Sequence, residues 1–281
     1  MSISLVCFAT KEYERNRNIL IFTAKNFAKI KNVFSFYPKD IPKEISNNLI
    51  YANLKKGFGN YFWKSYFIIE SLNKINYGDF IFYSDAGNFF VRNIQPLISK
   101  MKLLDKDIFV FELPFVEKQW TKRDAFVKLN VDNIKFTDSR QILSGYFIIR
   151  KSHFTMSFFQ DFYLNSLDHR IISDLPNELG YKNYDNFIEH RHDQSLLSLL
   201  VKKDLSNRIL IHNDISDYGF LPIRYFYFHK NFINLGKRYI ENDFRFPFIL
   251  SNRTTSPLMH ILKSFFFILV HLFSKKNILK N

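Results

Sequence analysis

The stretch Asp79-Phe-Ile-Phe-Tyr-Ser-Asp-Ala-Gly-Asn88 reads as an apolar strand that ends by delivering one carboxylate, Asp85, onto a turn of small residues. In an open α/β sheet, ligands gather at the carboxyl ends of the strands, and Gly87 has no Cβ to hold a phosphate away from the backbone. Asp85, Ala86 and Gly87 are therefore candidates to hold a diphosphate and its divalent cation. The same residues also make an ordinary turn, because Asp caps turns with its side chain and glycine accepts positive φ. The rest of the chain has to decide between the two.

Working outward, apolar runs alternate with longer periodic segments. Strands are predicted near 3–9, 33–37, 79–84, 107–113 and 145–150, and helices near 63–76, 94–104, 153–167 and 193–203. That alternation means an α/β fold. Gly78-Asp79 punctuates the entry to the third strand, Pro96 suits an early helix position, and Gly145 marks a close backbone approach at the start of the fifth strand. From about residue 207 the pattern gives way to Tyr/Phe-rich, proline-containing sequence, read as a less regular lid over the site. The division is a domain over 1–256 and a basic, amphipathic C-terminal tail over 257–281. The apolar part of the tail is too short and too polar to span a bilayer. Phe265, Phe266, Phe267, Leu269, Leu272 and Phe273, with Lys275, Lys276 and Lys280 behind them, suit a helix lying in an anionic membrane interface or one docked on the domain.

A chain of 281 residues with 47% hydrophobic content can bury a full core, in one large domain or in one domain with a smaller appendage, which argues against a disordered protein. Forty basic against 26 acidic residues leave a net charge of +14, so an anionic partner is expected. The 34 Phe follow the Lys, Asn and Ile abundance of an AT-rich coding sequence, and the aromatic excess is not in itself a base-stacking surface. Cys7 is the single cysteine, which leaves no disulfide framework or thiolate cluster and fits a reducing compartment. The N-terminus lacks a basic region ahead of its apolar residues and reads as a first strand rather than a secretory signal.

Three further stretches carry candidate chemistry. Gly57-Phe-Gly-Asn-Tyr-Phe-Trp-Lys64 is a glycine-bearing loop opening a helix; its amides attract phosphate, Lys64 adds a point charge, and Trp63 is either a core anchor or a stacking platform. It is neither a Walker nor a dinucleotide pattern. Within Trp120-Thr-Lys-Arg-Asp-Ala-Phe126, Lys122 and Arg123 can clamp a diphosphate while Asp124 orients them, and the alternative is a solvated charge cluster. Glu189-His-Arg-His-Asp-Gln-Ser195 precedes an amphipathic helix, with Asp193 as its expected N-cap. His190 and His192 have no cysteine partners and do not share a helix face, which argues against zinc. No Gly-x-Ser-x-Gly element supports a serine nucleophile.

Taken together with Phe8-Ala-Thr-Lys11, these stretches resemble, in order and spacing, a family of bacterial GT-A-type glycosyltransferases from surface-polysaccharide and lipopolysaccharide biosynthesis, over roughly residues 3 to 231. The resemblance implies a GT-A-like (Rossmann-like), mostly parallel central sheet flanked by helices, binding a nucleotide-diphospho-sugar donor. It places Asp85 at the metal-binding Asp-x-Asp motif, with the second aspartate replaced by Gly87. It further implies Mn²⁺ or Mg²⁺, shared with donor phosphates, and a second metal ligand in His229, or failing that His212. Trp63, Lys64, Asp85, Ala86, Gly87, Lys122 and Arg123 then bind the donor. Asp193-Gln194 resembles the Asp-Gln element beneath the anomeric carbon, which binds acceptor, acts as base or stabilises the cationic sugar; Asp124 is a second candidate base.

The expected activity is sugar transfer from that donor to a glycan or lipid-linked glycan acceptor, by a manganese- or magnesium-dependent protein in the cytoplasm, peripheral to the inner face of the membrane. Two rivals are a basic, aromatic-rich nucleic-acid-binding protein, which leaves Asp85, Asp124 and Asp193 unexplained, and a metal-dependent phosphodiesterase or nucleotidyltransferase, for which the chain lacks a dense Asp/His cluster.

Overall fold

The computed structural model describes residues 1–43, 57–216 and 246–251. His229, most of the expected lid and the whole 257–281 tail lie outside them. A six-stranded sheet in the order β2-β1-β3-β6-β5-β7 forms the centre, built from β1 Ile3–Phe8, β2 Asn32–Phe36, β3 Phe80–Ser84, β5 Ile108–Val116, β6 Arg140–Arg150 and β7 Ile209–Asn213. A short β4 (Asn88–Phe90) pairs antiparallel with β8 (Ile249–Ser251) beside it. Only β6 runs against the other central strands, pairing antiparallel with both β3 and β5. The sheet is thus mostly parallel, as expected.

Helices cover both faces, and the strand sequences record it. Alternate residues go to opposite faces: Val6, Ile81, Tyr83 and Phe147 join the core under α2 (Trp63–Asn73), α5 (His153–Ser166) and α7 (His192–Lys203). Leu5, Cys7, Phe80, Phe82 and Ile148 join the core under α1 (Glu14–Thr23) and α3 (Gln95–Leu103). A strand buried on both sides has no polar face, which is why Phe80–Ser84 is a continuous run. Burial pushes the Cys7 thiol up to about 11, so it is an inert core group.

The four expected helices are present within three residues of their predicted ends. Three expectations need correction. Gly145 lies inside β6, which begins at Arg140, rather than at a strand start. The 207–213 segment is not irregular: Ile209–Asn213 forms the edge strand β7 against β5. Asp193 is not the N-cap of α7; Arg191 flanks the helix, His192 adopts φ 49°, and Asp193 sits in the first turn. Helix α1 carried no apolar periodicity because one of its inward residues is Arg17, whose guanidinium lies 4.2 Å from the Tyr37 ring.

Among the described residues no helix is long and apolar enough to cross a membrane.

Candidate functional site

The chain crosses from β1 to β2 on one side and comes back to β3 on the other, so the carboxyl ends of β1 and β3 part at a switch point where a crevice must open. A cleft of about 450 Å³ opens there. Phe8, Ala9 and Thr10 from the end of β1 line it, with Asp85, Ala86 and Gly87 from the end of β3 and Gly57, Phe58, Tyr61 and Trp63 from the loop before α2. Asp85 therefore stands where its strand was expected to deliver it.

The loop has an unusual backbone. Gly57, Phe58, Gly59, Asn60 and Tyr61 all have φ between 54° and 86°, a left-handed turn that L residues other than Gly and Asn enter at a cost. It is closed by Tyr61 N–H donating to Gly57 O (3.3 Å) and Lys64 N–H to Tyr61 O (3.0 Å). Those amides are spent inside the turn rather than offered to a phosphate. The Trp63 indole N–H also donates to Gly57 O (3.0 Å), and the ring stacks on Phe8 with centroids 3.8 Å apart. Trp63 is thus both an anchor and a cleft wall.

Beneath the cleft, Lys64 is wholly buried and is not presented to a ligand. Its ammonium donates to Asp193 Oδ2 (2.5 Å), Ser144 O (3.1 Å) and Ser144 Oγ (3.2 Å), and lies 3.3 Å from Asp85 Oδ1. Burial alone would lower the Lys64 pKa, but the charges of Asp193 and Asp85 outweigh it and hold the pKa above lysine's ordinary 10.5. Tyr83, two residues before Asp85 on the same strand face, donates its hydroxyl to Asp85 Oδ1 (2.8 Å). Its own ionisation is pushed well above the ordinary tyrosine range, first by burial and then by the charges of Asp85 and Asp193.

Asp193 Oδ2 also accepts from Ser144 Oγ (2.6 Å), while Gln194 accepts the Ser144 N–H (3.4 Å) and donates to Gln141 Oε1 (2.7 Å). The Asp-Gln pair therefore grips β6 at Ser144, one residue before Gly145. Two carboxylates around one ammonium leave the cluster with a net charge of about −1 directly under the cleft.

The structure brings together Trp63, Lys64, Asp85, Ala86, Gly87, Asp193 and Gln194. It does not bring Lys122, Arg123 and Asp124 to this cleft. Lys122 is buried, its ammonium donating to Leu175 O (3.1 Å) and its N–H to His190 Nδ1 (3.2 Å). Arg123 pairs with Asp132 (3.1 Å) and lies over the Tyr184 ring at 4.7 Å. Asp124, at the start of α4 (Arg123–Lys128), accepts the backbone N–H groups of Glu178 (2.6 Å) and Leu179 (3.3 Å). A carboxylate so engaged holds a loop and is not poised as a base. His212 sits on β7, its ring edge-on to Phe109 at 5.8 Å, and does not line the cleft.

Sequence reasoning missed Tyr83, Ser144 and Tyr61. Period-two spacing from Asp85 could have found Tyr83; nothing local marks Ser144.

As a metal site, the described residues supply two carboxylates to the cleft, Asp85 from the end of β3 and Glu12 from the turn after β1, and they include no group of three His, Cys, Asp or Glu able to hold an ion. No described donor hydrogen-bonds Asp85 Oδ2, which leaves an oxygen for a hard cation whose remaining ligands come from donor phosphates and water. The donor set fits a cation carried in with a diphosphate rather than one caged by these residues.

No protein-family model matches the sequence, and no curated protein matches it either. Solved structures do. Mouse xyloside xylosyltransferase 1 in its apo form is 11% identical, with a TM-score of 0.48 over 92% of this chain and 99% of that one. A glycosyltransferase involved in glycosylation of the major capsid of PBCV-1 is 12% identical, with a TM-score of 0.47 over 92% and 98%. The galactosyltransferase LgtC, in complex with donor and acceptor sugar analogues, is 14% identical, with a TM-score of 0.45 over 89% and 87%.

Proposed function

We propose that the protein transfers a sugar from a nucleotide-diphospho-sugar to a glycan or lipid-linked glycan acceptor in surface-polysaccharide biosynthesis. The observation that carries this reading is the position of Asp85 at the floor of the switch-point cleft, joined through the buried Lys64 to Asp193. The aromatic walls formed by Phe8, Phe58, Tyr61 and Trp63 suit a planar base, and Asp85 Oδ2 suits a divalent cation accompanying the diphosphate. When bound, that cation, Mn²⁺ or Mg²⁺, supplies charge neutralisation to the departing diphosphate.

The chain's own contribution is electrostatic. A sugar losing its diphosphate develops positive charge at the anomeric carbon, and the net negative Asp85-Lys64-Asp193 cluster is preorganised to favour it. Lys64 holds both carboxylates in place from beneath the cleft, and Gln194 fixes the start of α7 on β6.

The test is calorimetric titration of a panel of nucleotide-sugars with and without Mn²⁺, followed by product analysis. Metal-enhanced binding of one donor and formation of a glycoside are expected. Release of nucleoside monophosphate and sugar 1-phosphate without sugar transfer would instead assign hydrolysis of the diphosphate bond.

A further inference from the structure

A second surface lies away from the cleft. Helices α1 and α3 pack on the same sheet face, and both end at the edge where the strands begin, since α1 leads to β2 and α3 into β5. The cleft is at the opposite edge. At these helix ends Phe22 and Phe27 are 60% and 47% exposed, with their rings edge to face at 6.4 Å, and Leu103 is 85% exposed. Exposed large apolar groups at one edge of the sheet call for an apolar phase or partner.

Charge specifies which. Glu14 opens α1 at its far end, and Asp105, just past α3, is paired with Arg150 and Arg208; residues 15–31 and 88–104 between them contain no aspartate or glutamate and carry Arg15, Lys25, Lys29, Lys31, Lys100 and Lys102 among their basic residues. Arg15, Lys25, Lys29, Lys31 and Lys102 form no ion pair with the described residues. The helices on the other face carry acids, with Glu70 on α2, Asp161 on α5 and Asp193 on α7. These two helices and their exits thus carry more bases than acids, interleaved with aromatic and aliphatic side chains.

We propose that the ends of α1 and α3 dock on an anionic lipid bilayer. Phe22, Phe27 and Leu103 enter the acyl boundary, and the lysines extend along apolar surface to reach acidic headgroups. A nucleic acid explains the lysines but gives Leu103 no role, and the Phe22 and Phe27 rings already engage one another rather than standing open to stack on bases. Docking this edge leaves the cleft open to soluble ligands. Because the surface shares no residue with the cleft, the proposal stands or falls separately from the glycosyl-transfer reading.

The experiment is cosedimentation of the full chain with phosphatidylcholine vesicles with and without phosphatidylglycerol. Wild type should pellet with the anionic vesicles and be released by salt. Phe22→Ser with Phe27→Ser should lower partitioning about tenfold or more, and Lys25→Glu with Lys29→Glu and Lys31→Glu about fivefold per lysine. Thermal midpoints should be unchanged, because these side chains are exposed. Either variant pelleting like wild type overturns the proposal, as does equal binding to pure phosphatidylcholine. Loss of RNA binding by the lysine variant with vesicle binding intact would assign the surface to nucleic acid instead.

Discussion

Lys64 and Asp193, 129 positions apart in sequence, meet in the interior at 2.5 Å, and this contact fastens the helix after the glycine loop to the helix after the histidines. A buried ion pair of this kind contributes little net stability when intact, but losing one partner strands a charge. Lys64→Met should therefore destabilise the fold by about 3–5 kcal/mol, and adding Asp193→Asn should recover part of that loss. The folded pKa of Lys64 is raised, so its contribution is complete below about 10.5 and disappears only as pH climbs through the folded value. Denaturant unfolding of both variants should show a wild-type-to-variant gap that is constant between about pH 5 and 9.

Asp85→Asn keeps the size of the side chain and removes its charge. Turnover of the nucleotide-sugar should fall about 10²–10³-fold, while circular dichroism shows an intact fold. Wild-type activity in this variant would remove Asp85 from the site.

Gly57→Ala tests the left-handed loop. A Cβ at Gly57 would lie 2.3 Å from ring carbons of Tyr61, at a φ of +57°. Strain of about 1–2 kcal/mol is expected, with Tyr61 displaced from the cleft wall. Donor affinity measured by calorimetry should weaken more than overall stability does.

Asp124→Ala separates structure from chemistry. The carboxylate accepts backbone N–H groups from Glu178 and Leu179, so its loss should cost about 3 kcal/mol of stability. The kcat per folded molecule should stay at the wild-type value. A fall in kcat without a fall in thermal midpoint would restore Asp124 as a base.

Acid stability should depend on Asp168, which caps α6 (His169–Ile172). Burial would raise its pKa, but hydrogen bonds from Arg170 and Lys128 prevail and lower it from 3.8 to about 2. Its stabilising contribution is therefore present above pH 3.8 and lost as pH falls to about 2. Asp168→Asn, which can still cap the helix, should melt below wild type at pH 7 and converge with it near the acid limit in a thermal scan.

The sequence by itself determined the sheet and its floor. Strands buried on both faces read as unbroken apolar runs, so Phe80–Ser84 and the carboxylate that follows could be placed from local pattern alone. The same pattern located α2, α3, α5 and α7, whose inward faces are apolar. It was silent on α1, where Arg17 fills an inward position, and on β7, a short edge strand whose inward face is only half buried. Tertiary structure alone decided what the charges do. Lys64, Lys122 and Arg123 are equivalent as letters, three cations near glycine or aspartate. Lys64 proved to be the counter-ion of Asp85 and Asp193 because α2 and α7 lie on one sheet face, each packed against α5, whereas Lys122, Arg123 and Asp124 were drawn to the 175–190 segment and its backbone. A side chain's charge is local, but its partner is set by which elements the core brings together, and those contacts span scores of residues that no local pattern links.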